Sequence, residues 1–189
     1  MSSLLILIVV GFTLAGFVGY LVTIYNSLIV VKNDIQKAWG NIDVLLKQRH
    51  DEIPKLIKTC EAYMSYEKKT LTEVIALRNS AAGAQGVGDK AQKEGMLSSA
   101  LGKLFALSEN YPDLKAQSNF QNLQSRISSL ENQIADRREF YNESVNNYNI
   151  RIESLPDSFI ASKMNLKPQE MFKITEEDRK DVEININVP

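Results

Sequence analysis

Residues 1–31 read MSSLLILIVVGFTLAGFVGYLVTIYNSLIVV, a run without a single charged side chain. A helix rises ~1.5 Å per residue, so Leu4 to Tyr25 alone covers roughly 33 Å, enough to cross a bilayer core of about 30 Å. A secretory signal would show a positive leading segment, a shorter apolar core and a small-residue cleavage site. Here nothing positive precedes the run, it is too long, and no Ala-x-Ala follows it. A lipid-modified cysteine does not fit either, because the single cysteine, Cys60, lies well beyond the segment. The sequence therefore predicts a retained transmembrane helix whose partner is the lipid bilayer.

The flanks give an orientation. Lys32, Lys37, Lys47 and Arg49 follow the run, and no Lys or Arg precedes it. The positive-inside rule then places the C-terminal bulk in the cytoplasm. A lone cysteine agrees, since it cannot close an intramolecular disulfide. Within the run, Gly11, Ala15, Gly19 and Thr23 recur every fourth residue and form one stripe of small side chains. Such a stripe lets a second transmembrane helix approach closely, and marks a possible self-association face.

About 155 residues follow the run, enough for one domain with its own core. The net charge of −1 gives no electrostatic footprint for nucleic acid. From Leu28 to Leu77 apolar residues keep a three-four rhythm through Val31, Ile35, Ala38, Ile42, Leu45, Ile53, Leu56, Cys60, Met64, Leu71 and Val74. No turn cluster interrupts them, so the transmembrane helix is expected to continue as one long first helix. Pro54 removes one backbone hydrogen bond and should kink this helix rather than end it. Gly83 to Lys90 reads as a helix–helix loop. It lacks the preceding strand and the Gly-Lys-Ser/Thr of a phosphate loop.

Met96–Glu109 is a second helix, closed by Asn110-Tyr111-Pro112-Asp113, with Pro112 suited to a first helical turn. The third runs through Phe120, Leu123, Ile127, Leu130, Ile134, Tyr141, Val145, Tyr148, Ile152 and Leu155 at near-heptad, coiled-coil-like spacing. Arg137 falls where that stripe wants an apolar residue, and either pairs across the bundle or snorkels to its edge. Pro156 ends the helix, and Asp157 to Met164 is a short fourth.

The expected fold is all-α: an N-terminal transmembrane helix running into a long antiparallel bundle of three long helices plus a short fourth. Residues 1–31 form the anchor, 32–168 the bundle and 169–189 an acidic tail. In the tail Val182, Ile184, Ile186 and Val188 alternate with polar residues, a strand pattern. That strand is either disordered or paired with its copy in a neighbouring subunit.

The chain resembles the LemA family over nearly its whole length. The resemblance lies in Tyr25-Asn26-x-Leu28, in Ala38-Trp39-x-x-Ile42-Asp43-Val44-x-Leu46-Lys47-x-Arg49 with Ile53-Pro54, and in Thr70-Leu71-x-x-Val74 with Arg78. It continues in Leu97-Ser98-x-Ala100-Leu101, Glu109-x-Tyr111-Pro112-Asp113-Leu114-Lys115-Ala116 and Phe120-x-x-Leu123-Gln124. Glu131-x-x-Ile134, Arg138-x-x-Tyr141-Asn142, Tyr148-Asn149 and Ile160-Ala161 complete it. The resemblance implies a bacterial single-pass membrane protein with a soluble helical bundle, and relatives associated with membrane organisation. It implies no agreed biochemical function. The tail from Thr175 falls outside the pattern.

The chemistry for catalysis is thin. There is one histidine, His50, in the polar turn Lys47-Gln48-Arg49-His50-Asp51-Glu52, which reads as a solvated helix face. No Cys/His cluster suggests zinc, no residue set calls for a cofactor, and adjacent acids such as Asp51-Glu52 and Glu176-Glu177 do not share a helix face. Tyr141-Asn142, Tyr148-Asn149, Glu109, Arg78 and Arg138 are expected to fix helix register through buried polar contacts. The reading is a non-enzymatic scaffold at the cytoplasmic membrane, acting as a homo-oligomer. The alternative is an adaptor or regulator of another membrane protein, such as a quality-control protease.

Overall fold

The computed structural model describes residues 2–173 of the chain. Among these the elements are six helices: α1 (Ser2–Glu61), α2 (Lys68–Ala82), α3 (Val87–Ser108), α4 (Pro112–Lys115), α5 (Ser118–Glu153) and α6 (Asp157–Lys163). The all-α class and the long apolar N-terminal helix stand as the sequence implied. The strand-like positions Val182, Ile184, Ile186 and Val188 lie outside the described residues.

The first helix departs from expectation at its far end. The three-four rhythm suggested one helix as far as Leu77, whereas α1 stops at Glu61 and the chain reverses through residues 62–67. Met64 N and Tyr63 N both bond to the Cys60 carbonyl, at 2.8 and 3.0 Å, and Leu71 N picks up Glu67 O at 3.1 Å. Periodicity could not reveal the reversal, because Cys60, Met64 and Leu71 on both sides of it are buried in the same core. Helical spacing is preserved across a turn containing neither Gly nor Pro.

The chain forms two compact units. One comprises α1 as far as Trp39 with Tyr141–Gln169. Here α1 is exposed from residue 3 to residue 20, and its first buried side chains are Ile24 and Leu28. The Trp39 and Tyr141 rings meet at 5.5 Å between centroids, and Arg151 Nη1 donates to Ser27 Oγ at 2.6 Å. The second contact lies earlier on α1 and later on α5, so the two helices run antiparallel. The family-like Tyr-Asn pair at Tyr148-Asn149 holds the chain that follows α6. Tyr148 Oη donates to the Lys167 carbonyl at 3.1 Å, and the Asn149 amide both donates to Gln169 O (3.0 Å) and accepts from Gln169 N (2.8 Å). Burial raises the Tyr148 phenol above its ordinary 10.0, which keeps it a donor.

The other unit is Gly40–Phe140 with the segment from Glu170. Its core brings Ile53, Leu56, Ile57 and Cys60 of α1 against Leu71 and Val74 of α2, Leu97, Leu101 and Leu104 of α3, and Phe120, Leu123 and Ile127 of α5. Each large side chain buried this way contributes about 1.5–3 kcal/mol of transfer free energy. Gly86 opens α3 with φ +80°, a left-handed conformation that a side chain would strain. Arg137 is exposed. It is Arg138 that turns inward, its guanidinium 4.9 Å from the centre of the buried Phe172 ring. On a 3.6-residue period the stripe steps from Ile134 to Arg138, not Arg137.

Candidate functional site: a buried charge cluster and an exposed apolar helix

The turn Lys47 to Glu52 is not the solvated face expected of it. Arg49 is 0% exposed, His50 9% and Glu52 5%. The cause is register: α1 buries Ile42, Leu46, Ile53, Leu56 and Cys60, and Arg49 occupies the core position between Leu46 and Ile53.

Two helices supply partners for Arg49. Its Nη2 pairs with Glu94 of α3 and its Nη1 with Glu131 of α5. Nη1 also donates to Ser98 Oγ at 2.7 Å, and the Ser98 hydroxyl lies 2.9 Å from Glu131 Oε2. His50 Nε2 stands 3.1 Å from Glu94 Oε1 and 3.3 Å from Oε2, where the hydrogen-bond geometry is met. Burial alone would raise the Glu94 carboxyl. The His50 hydrogen bond and the Arg49 charge outweigh it and hold that carboxyl below its ordinary 4.5. Next to the cluster, Glu52 Oε1 takes Arg126 Nη2 at 2.8 Å and Lys55 Nζ at 3.2 Å.

Arg78 has a separate role, set by Pro54. Residue 54 should donate its backbone N–H to the His50 carbonyl, and proline has none. Arg78 Nε of α2 reaches across and donates to that carbonyl at 2.9 Å. The helix therefore continues through Pro54 with its freed acceptor satisfied from a neighbour. Of the other residues expected to form buried pairs, Glu109 meets Lys115 at the surface.

Chemically the cluster is an ion-pair node. The two Arg49 Nη atoms meet two carboxylates and a hydroxyl, whereas Arg49 Nε and Glu94 Oε1 are buried with no hydrogen-bond partner among the described residues. Cys60 is buried, and burial, with the Glu61 charge adding to it, pushes its thiol up to about 12, so it stays protonated.

At the other end of α1 the small-residue stripe has no cover among the described residues. Gly11, Ala15, Gly19 and Thr23 are exposed, and a methyl group added at Gly11 or Gly19 would meet nothing within 4 Å. The Thr23 hydroxyl is satisfied within the helix, donating to Gly19 O at 2.9 Å. Phe12, Leu14, Phe17 and Val18 are more than half exposed around them.

A helix long and apolar enough to cross a membrane, followed by an all-helical body with a buried Arg–carboxylate node, defines a class: a helical-bundle protein with a candidate N-terminal span. The family follows from comparison. The LemA family pattern matches residues 38–186, and the chain belongs to that family. The match includes residues 175–186, although the tail from Thr175 carries none of the motifs of the resemblance.

Among similar proteins is Protein LemA of Metamycoplasma hominis, 27% identical over 84% of this chain and 73% of its own. Magnetosome protein MamQ 2 of Paramagnetospirillum magneticum is 23% identical over 85% of this chain and 69% of its own. Magnetosome protein MamQ of Magnetospirillum gryphiswaldense is 23% identical over 85% and 68%. Arg49, Ser98 and Glu131 come from three separate stretches that carried the family resemblance, and the fold brings them to one point.

Proposed function

We propose that this is a non-enzymatic, membrane-anchored helical-bundle protein that associates with copies of itself and acts as a scaffold at the bacterial cytoplasmic membrane, with the bundle on the cytoplasmic side. The observation that carries the reading is α1. One helix of 60 residues presents uncovered apolar side chains over its first third and supplies core side chains to the bundle over its last third. Lipid around the first part is the natural solvent for that surface. The open stripe Gly11, Ala15, Gly19 and Thr23 supports helix–helix self-association within the membrane. The Arg49 node, an ion-pair cluster shared by three helices, fits a structural body better than a reactive one.

The test is the mass of the full chain in mild detergent, by native mass spectrometry or light scattering. A discrete homo-oligomer that collapses toward monomer in the Gly11→Leu/Gly19→Leu variant is expected. A monomer at all concentrations, unaffected by the substitutions, sinks the reading.

The adaptor reading has one observation of its own. At the α1–α2 reversal, Met64, Leu71 and Ile75 line a groove with Glu61 and Lys68, and Tyr66 beside it is 93% exposed. A monomeric chain that shifts mass only with another membrane protein, such as a quality-control protease, would favour it.

A further inference from the structure

We propose that the α5–α6 turn is a second membrane-contacting element, whose apolar edge, Leu155 and Phe159, enters the lipid interface beside α1. The proposal rests on the reading that α1 crosses the bilayer.

The first observation is exposure. Leu155 is 86% exposed and Phe159 64%, with Ile150 at 53% on the helix leading to them. These are large apolar side chains close together on a reversal, where a water-facing turn would carry polar residues. The second is level. Arg151 Nη1 on Ser27 Oγ ties the end of α5 to α1 at a known position. The helices are antiparallel and α5 ends at Glu153, so the turn carrying Leu155 lies beyond Ser27 on the Thr23 side of α1.

At that level α1 is still lipid-like on its outward side. Ile24 and Leu28 are buried, while Val22 is 51%, Tyr25 47% and Val30 56% exposed. The first charge is Lys32. The apolar surface of α1 thus continues past the turn, and Leu155 and Phe159 extend it sideways within the same compact unit.

The polar groups of the turn are arranged for such a position. The Asp157 carboxylate would be costly against lipid, and Arg151 neutralises it, with Nε 2.7 Å from Oδ2. Lys32 and Lys163, both exposed in this unit, have stems long enough to bring their charges to anionic headgroups. Glu153 is exposed in the last turn of α5 and sets the depth. Side chains at the apex enter, and the helix body stays in the headgroup layer. This unit is then held to the membrane at two points, which fixes its own tilt as a single span could not.

The test places nitroxide labels on the full chain in vesicles of phosphatidylcholine and phosphatidylglycerol. The sites are Leu155→Cys and Phe159→Cys, with Phe12→Cys in the apolar run and Gln133→Cys on the exposed side of α5 as references. Cys60 is buried and its thiol protonated, so it does not compete for label. Accessibility to oxygen, which concentrates in lipid, is compared with accessibility to a water-soluble nickel chelate. The expected result is an oxygen-to-nickel ratio at residues 155 and 159 several-fold above that at 133 and below that at 12. A ratio at 155 and 159 equal to that at 133, with residue 12 deep in lipid, overturns the proposal and leaves the span intact. Water access at residue 12 overturns the spanning reading, and this one with it.

Discussion

The Pro54–Arg78 arrangement makes a sharp prediction. Arg78→Met keeps most of the aliphatic stem and removes the donor, leaving the His50 carbonyl without a partner. A hydrogen bond from a charged donor contributes ~1.5–3 kcal/mol, and an orphaned, partly buried acceptor costs a similar amount. In a domain of this size 1 kcal/mol moves the melting temperature by about 2–4 °C, so Arg78→Met should lower it by roughly 3–12 °C. Pro54 is exposed, so Pro54→Ala introduces no clash and returns the N–H that His50 O lacks. In that background Arg78→Met should cost only ~0.5–1 kcal/mol, for lost packing and the Nη1 bond to Asn79 Oδ1. The coupling in the double-mutant cycle should therefore be about 1–2 kcal/mol. The assay is thermal unfolding of the full chain in mild detergent, followed by circular dichroism at the helical band. Effects that add to within ~0.5 kcal/mol would mean that Arg78 does not serve the carbonyl freed by Pro54, and the reasoning would fail.

The charge cluster predicts asymmetry between breaking and replacing it. Arg49→Met alone should destabilise by ~3–5 kcal/mol, whereas Arg49→Met with Glu94→Leu and Glu131→Leu should recover most of that loss; equal melting losses in both would contradict it. Glu94 sets an acid limit. Its folded carboxyl sits below 4.5, so the stability it contributes is complete above pH 4.5 and is lost as pH falls through the lower folded value. Melting curves of wild type and Glu94→Gln should converge in acid, and a constant gap from pH 7 downward counts against the assignment. Removing Val182 to Pro189 should reduce the oligomer if that segment pairs between subunits, as native mass spectrometry would show.

The fold class was legible because a 3.6-residue rhythm and an uncharged run are both written directly in composition and spacing. What spacing cannot encode is direction. The reversal at residues 62–67 keeps the apolar phase, and Met64 plugs the core as it would have within a helix, so one helix and two give the same pattern. The cluster was missed for a different reason. Reading the stripe by apolarity skips from Leu45 to Ile53, and the eight-residue gap holds a core position that a charged residue fills. Periodicity carried without regard to residue type runs Ile42, Leu46, Arg49, Ile53, and flags Arg49 as buried. The same device marks Glu94 between Ala91 and Leu97 on α3, both fully buried. The polar neighbours of His50 suggest solvent, yet two of them, Arg49 and Glu52, are themselves inside.

A buried arginine with two carboxylates is a weak source of stability, since desolvating the charges offsets most of their attraction. Its effect lies in which alternatives it forbids. Each of α1, α3 and α5 contributes one charge to the node, and the apolar stripes around it are rich in Leu, Ile and Ala, which pack nearly as well one helical turn out of step. A slip of α3 or α5 by a turn would move its carboxylate about 5.4 Å away, taking from Arg49 one of its two carboxylates and from that carboxylate its cation, at a cost of up to ~3–5 kcal/mol. The node therefore selects one register among several that hydrophobic packing alone would leave close in energy. Arg78 acts similarly on α2, because only one alignment brings its Nε to the carbonyl that Pro54 frees. For a bundle proposed to organise copies of itself at a membrane, a single register matters more than a deeper well. The apolar triple variant of the node separates the two: it should melt no lower than Arg49→Met, yet exchange its core amides faster relative to its melting temperature. Slow exchange in that variant would show that packing alone fixes the register.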